Sequence, residues 1–177
     1  MKSVFVLALF LDALGCLGQI RVSKDSVAIW SWEDVTIDRA RTLFGEVPKE
    51  QSTQLGHAKL VSGVCVPIEG PYILDFEESG VTMQFTPLDS LGQGKLKSML
   101  VRKAGKVRTP LEVDIGQLLV SEPNSDGSAF KVVDAGGREY LEQFRDGVLY
   151  YCRPASIVKA RKGKPLKVEW FRVFDYY

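Results

Sequence analysis

Thr109-Pro-Leu-Glu-Val-Asp-Ile-Gly-Gln-Leu-Leu119 decides which fold class this chain is expected to adopt. Read as a helix, it opens with a capping box, in which the Thr109 hydroxyl and the Glu112 carboxylate each satisfy an otherwise orphaned N–H. Pro110 then stands at the first helical position, where its missing N–H costs nothing. Leu111, Ile115, Leu118 and Leu119 make the apolar face. A second segment of the same kind lies upstream. In 36–44, Ile37, Ala40, Leu43 and Phe44 share one helical face, with Thr36 placed to cap it, Gly45 to end it and Pro48 to prevent its restart. Two such helices on an antiparallel sheet define an α+β fold. The competing expectation is an all-β sandwich, because strand segments outnumber helical ones.

The remaining periodicity is that of strands. Residues 26–32, 59–66, 72–76, 81–85 and 95–102 alternate or run apolar, and are separated by Glu69-Gly-Pro71, Glu78-Ser-Gly80 and Leu91-Gly-Gln-Gly94. Downstream of the Thr109 segment the strands are 129–133, 139–144, 148–152 and 166–174. Asp146-Gly147 between alternating residues is the strongest hairpin signal in the chain. The two halves also correspond at near-constant spacing. Leu43-Phe44…Pro48 lies 75 positions before Leu118-Leu119…Pro123, Tyr72…Phe76 lies 68 before Tyr140…Phe144, and Gly80-Val81 lies 67 before Gly147-Val148. Such offsets are what a duplicated helix-plus-sheet unit leaves. The expected organisation is a signal peptide at 1–18, a first unit at 19–105 and a second at 106–177.

Lys2, the apolar run from Val4 to Leu11 and the small residues from Ala13 to Gly18 have the order of a secretory signal, and the run is too short to span a bilayer. Cleavage after Gly18 gives a secreted chain. Cleavage after Gly15 makes Ala13-Leu-Gly-Cys16 a loose lipoprotein box, with Cys16 as the candidate lipidation site. The expected location is therefore outside the cell or in the cell envelope. In an oxidising compartment Cys65 and Cys152 are a candidate disulfide, which would contribute about 4 kcal/mol by closing a long loop. The alternative is two separate buried thiols.

Asp34-Val-Thr-Ile-Asp-Arg-Ala-Arg-Thr-Leu-Phe-Gly45, followed by Pro48, resembles the helical signature of small exported lipoproteins of the outer-membrane assembly type. Tandem copies of that unit build the secreted β-lactamase inhibitory protein, and Phe144-Arg-Asp-Gly-Val-Leu149 is similar to the late hairpin of such units. The resemblance implies a tandem helix-plus-sheet fold and a role in binding another protein. It carries no contact residue over. The disulfide that the inhibitor closes inside each repeat has no counterpart, since each half here has one Cys, at non-equivalent positions.

Residue chemistry narrows the function further. A formal net charge of +1 gives no whole-molecule reason to expect nucleic acid as a partner. His57 is the only histidine, there is no Gly-x-Ser-x-Gly elbow, and Gly92-Gln-Gly-Lys95 lacks the spacing of a phosphate loop. No cofactor or metal site is expected. Asp75, Glu77 and Glu78 form the densest acidic cluster, which two-carboxylate hydrolysis would need in a cleft. Two basic clusters, Lys95 to Arg108 and Lys159 to Lys167, suit sheet edges, where lysine blocks association. The favoured function is an exported non-enzymatic binding module, an inhibitor of or adaptor for another exported protein. Tyr72, Phe85, Tyr140, Tyr150 and Trp170 are its candidate partner-binding residues. The alternatives are a structural envelope lipoprotein, touching membrane only through Cys16, and a carbohydrate-active hydrolase.

Overall fold

The computed structural model describes residues 19–61, 64–120, 131–134, 137–152 and 165–175, with side chains of 54–68 excepted. The chain is mostly β, built on one large antiparallel sheet, and this corrects the α+β expectation with two helices. The all-β alternative fits better. Chain order begins with β1 (Ile20–Arg21), β2 (Ser26–Val27), β3 (Trp30–Ser31), a 3-10 turn at Trp32–Asp34 and α1 (Ile37–Thr42). Then follow β4 (Lys49–Val61), β5 (Val64–Phe76), β6 (Val81–Phe85), β7 (Leu96–Val101), β8 (Val107–Arg108) and β9 (Leu118–Leu119). The last four are β10 (Lys131–Asp134), β11 (Glu139–Arg145), β12 (Val148–Cys152) and β13 (Leu166–Phe174).

The sheet runs β10-β11-β12-β13-β7-β6-β5-β4, with β9 paired to β13. It is two four-stranded meanders joined antiparallel through their last strands, β7 and β13. Val101 faces Phe171 across that seam and Met99 faces Val173. β4 to β7 make one meander and β10 to β13 the other. The Asp146-Gly147 turn has both residues at positive φ (48° and 80°), the conformation a two-residue hairpin needs. A side chain at Gly147 would also meet the Lys24 backbone at 3.0 Å, so glycine lets the N-terminal segment seat against this turn.

One face of the sheet is buried. Leu74 and Phe76 of β5, Val81, Met83 and Phe85 of β6, and Val148, Tyr150 and Cys152 of β12 all point into it. Phe171 and Val173 carry the core across the seam. Among the described residues the cover is made of short elements, α1, the two-stranded β1–β8 and β2–β3 ladders and β9, rather than a second large sheet. Val22, Val27, Trp32, Val35, Ile37 and Ala40 come from the N-terminal segment, and Val107 and Leu119 from the segment between the meanders. Residues 26–32, expected as one strand, fold back instead as the β2–β3 hairpin, with Ala28 at φ 56° in the turn. That reversal lets both Val27 and Trp32 reach the core.

The two capped segments part ways. At the first, Thr36 Oγ1 accepts the Arg39 N–H at 3.3 Å, Ile37 and Ala40 are buried, and Gly45 follows at φ 67°. At the second, Glu112 takes φ 54° and Gly116 φ 84°, which no helix accommodates. Thr109 Oγ1 is drawn to Tyr150 Oη (2.8 Å) and the Val113 carbonyl (3.1 Å) instead of capping. Asp114 organises its own turn by accepting from the Ile115 and Gly105 N–H groups. The segment then hydrogen-bonds to β13, with Val168 N–H donating to the Gln117 carbonyl. Leu111, Val113 and Ile115 are two apart and all pack on the core, so a period of two wins over the helical reading. Leu118 is consequently 63% exposed and Leu119 1%.

Candidate functional site

The expected partner-binding residues divide between the two faces. Phe85 and Tyr150 lie wholly in the core and Tyr72 nearly so, which removes them from any partner surface in this structure. The Tyr150 hydroxyl, bonded to Thr109, is pushed up to about 12 by burial. Tyr140 and Trp170 sit on the opposite, outer face. Register explains the split. Tyr72…Phe76 and Tyr140…Phe144 occupy corresponding strands, β5 and β11, but Tyr72 and Phe76 are buried while Leu141 and Gln143 are the buried residues of β11. The β5–β6 turn has four residues and the β11–β12 turn two: Phe76 pairs with Val81, whereas Arg145 pairs with Val148. A one-residue slip relative to the turn sends the matching aromatics to the other side of the sheet.

On that outer face Trp170 and Tyr151, paired across β13 and β12, stack with centroids 3.5 Å apart and planes at 12°. Tyr140 meets Trp170 edge-on at 5.5 Å and Tyr151 at 6.4 Å. Phe144, on the same face of β11, is 51% exposed. Arg172 continues the row from Trp170 towards Phe174. It is paired with Leu149 on one side and Leu100 on the other, and its guanidinium lies 5.7 Å from the Phe174 ring centre. Its Nε is buried with no hydrogen-bond partner. None of the six ion pairs among the described residues includes it. Sequence reasoning singled out Trp170 of β13 but passed over Arg172 and Tyr151. The signal was present, since Trp170, Arg172 and Phe174 are two apart in a strand and must share a side.

The acidic cluster is occupied with structural work. Asp75 accepts from Thr82 Oγ1 (2.6 Å) and Arg102 (2.8 Å), and Glu77 pairs with Lys49 at 2.7 Å. The turn they flank is closed by Glu46, whose carboxylate accepts the Glu78 and Ser79 N–H groups, and by Lys103, which donates to the Glu77 carbonyl. Burial opposes ionisation of Glu46, but those bonds, led by Ser79, outweigh it and lower its pKa. Three members of the first basic cluster are spent similarly, on Lys97–Asp175, Arg102–Asp75 and the Lys103 cap. No group of three metal-ligating side chains occurs among the described residues.

A cleft of about 470 Å³ opens between α1 and the β6–β7 loop, with Tyr72, Arg41, Leu88 and Lys95 among its lining. Its charged wall is closed on itself. Arg41 grips Glu50 through two bonds of 2.7 and 2.9 Å and Asp38 at 2.6 Å, and Tyr72 Oη donates to Glu50. The Arg41 contact, aided by Tyr72, lowers the Glu50 pKa, while burial and Glu50 raise that of Tyr72. Asp89 accepts the Leu91 and Gln93 N–H groups of its own loop.

Cys152 is a free, buried thiol, pushed up to about 12 by burial. Cys65 lies on β5, three intervening strands from β12 in the sheet, and its side chain is outside the described residues. The structure does not bring the expected disulfide together. Cys16 with its signal segment, and most of the second basic cluster, also fall outside the described residues. No protein-family model matches this chain, and neither does any curated protein or solved structure.

Proposed function

We propose that this chain is an exported, non-enzymatic binding module that engages another protein with the outer face of its sheet. The observation that carries the reading is the row of Tyr140, Trp170, Arg172 and Phe174 on the face opposite the core, with the buried Tyr151 ring stacked beneath Trp170. Aromatic and arginine side chains together are the composition of interface centres. The carboxylates that a hydrolase would need are engaged elsewhere, Asp75 by Arg102 and Glu77 by Lys49. Immobilised mature chain and its Trp170→Ala variant, each exposed to the native extracellular fraction, test this. The expected result is one stoichiometric protein partner retained by the wild type and lost by the variant. Equal retention by both, or glycan turnover abolished by Glu77→Gln, would overturn the proposal.

A structural envelope lipoprotein with the same fold is the second reading, and it turns on Cys16. It requires the protein to partition with membranes and Cys16→Ser to release it. N-terminal sequencing that finds Gln19 as the first residue would favour the secreted form instead.

A further inference from the structure

Arg172 is an expensive residue for its position. Its cross-strand neighbours are Leu149 and Leu100, and its neighbours along the strand face are Trp170 and Phe174. A guanidinium in such a ring gives up hydration, and its buried Nε recovers no hydrogen bond. Contact with the Phe174 face returns part of that cost, since cation–π attraction is modest at exposed sites. Three other cations on or beside the same sheet each have a carboxylate: Lys97 has Asp175, Arg102 has Asp75 and Lys49 has Glu77. Among the described residues Arg172 has no carboxylate partner, and it stands on β13, in the middle of the sheet, on the face opposite the core.

From this guanidinium, its Nε unbonded in an apolar ring, we infer that the outer face docks a protein segment presenting an Asp or Glu side chain flanked by apolar side chains, with the carboxylate on Arg172. The inference rests on the proposed function and supplies the chemistry of its partner. A carboxylate takes two parallel N–H donations from guanidinium, a geometry that Lys cannot reproduce. Apolar flanks would lie on Leu100 and Leu149, and against Trp170 and Phe174, excluding water from the pair. Exclusion strengthens the attraction and makes the contact selective. An apolar partner lacking the acid would bury the cation unpaired, and an acidic partner lacking apolar flanks would leave it wet.

The test uses a displayed library of random dodecapeptides selected on the mature chain, followed by synthetic peptides in fluorescence polarisation. Enriched peptides are expected to carry Asp or Glu beside aromatic or aliphatic residues. Changing that acid to its amide, or Arg172 to Leu, is each expected to weaken binding by about tenfold or more, and the two losses are not expected to multiply. Arg172→Lys is expected to recover only part of the loss. Because the amide change leaves the chain untouched, it decides the matter even if Arg172→Leu fails to fold. Binding that Trp170→Ala abolishes but neither charge change affects would overturn this inference and spare the proposed function. Binding indifferent to both Trp170 and Arg172, or no peptide enriched, would overturn both. Arg172-dependent binding to phosphatidylglycerol vesicles in place of peptides would overturn the choice of a protein segment.

Discussion

The two faces of the sheet are built on opposite terms. On the inner face Phe171 and Val173 meet Val101 and Met99 with no exposure, and the buried Tyr150 hydroxyl reaches Thr109 at 2.8 Å. On the outer face the same strand presents Trp170, Arg172 and Phe174, where aromatic rings stay part-exposed and a guanidinium Nε stays orphaned. Strand geometry alternates the two sets residue by residue, so a single sequence serves stability and recognition with neighbouring side chains. The lesson is that stability should read off one parity of β13 and binding off the other.

The contrast would break first at Tyr150. Truncation to Ala removes a fully buried ring and its hydrogen bond to Thr109, so a loss of about 3–5 kcal/mol is expected by urea unfolding. Leu119 and Leu118 are a sharper pair. Leu119→Ala is expected to cost about 2–5 kcal/mol and Leu118→Ala within about 0.5 kcal/mol, measured by the same titration. Equal losses would restore the helical face that the sequence suggested for this segment.

The buried inner face also makes an alkaline prediction. The Cys152 thiol and Tyr150 phenol are both held near 12, above their ordinary values of 9.0 and 10.0. The unfolded chain releases those protons first, so their contribution is complete below the ordinary values and is lost as pH climbs towards the folded ones. Unfolding free energy is expected to fall by about 1.4 kcal/mol per pH unit for each group inside its window. Cys152→Ala should remove the earlier part of that fall. Iodoacetamide mapping by mass spectrometry should leave Cys152 unlabelled in the native chain and labelled on denaturation.

The smallest effect belongs to the surface network at the cleft. Glu50 has its pKa lowered chiefly by the hydrogen bond from Arg41. Its stabilisation is therefore present above the ordinary carboxylate value of 4.5 and lost as pH falls through the folded one. The side chain is 36% exposed, so solvent screening holds the effect to under about 1 kcal/mol. The urea midpoints of the wild type and Glu50→Gln should converge on acidification.

How much of this was legible in the sequence varies by element. The Asp146-Gly147 hairpin and the Thr36 cap were readable because each depends on local chemistry alone. Most strands of the two meanders were readable from alternation, but β4 was missed, and 59–66, expected as one strand, straddles the end of β4 and the start of β5. The segment after Thr109 was misread because its capping box is real as a pattern, while the deciding partners, Tyr150 and Val168, are distant in sequence. The faces of Tyr140 and Phe144 depended on a turn two residues shorter than its counterpart, which the matching spacings concealed. Arg172 was overlooked because its significance is the lack of a charge partner, and pairing is a property of the folded sheet.

The central claim is that adjacent residues of β13 serve opposite purposes, and unfolding of Phe171→Ala beside Arg172→Leu tests it most directly. Phe171→Ala is expected to lose about 3–5 kcal/mol, whereas Arg172→Leu should be unchanged or gain slightly, because an orphaned guanidinium gives way to a side chain matching Leu100 and Leu149. A loss from Arg172→Leu comparable to that from Phe171→Ala would show that Arg172 belongs to the fold, and would contradict the account.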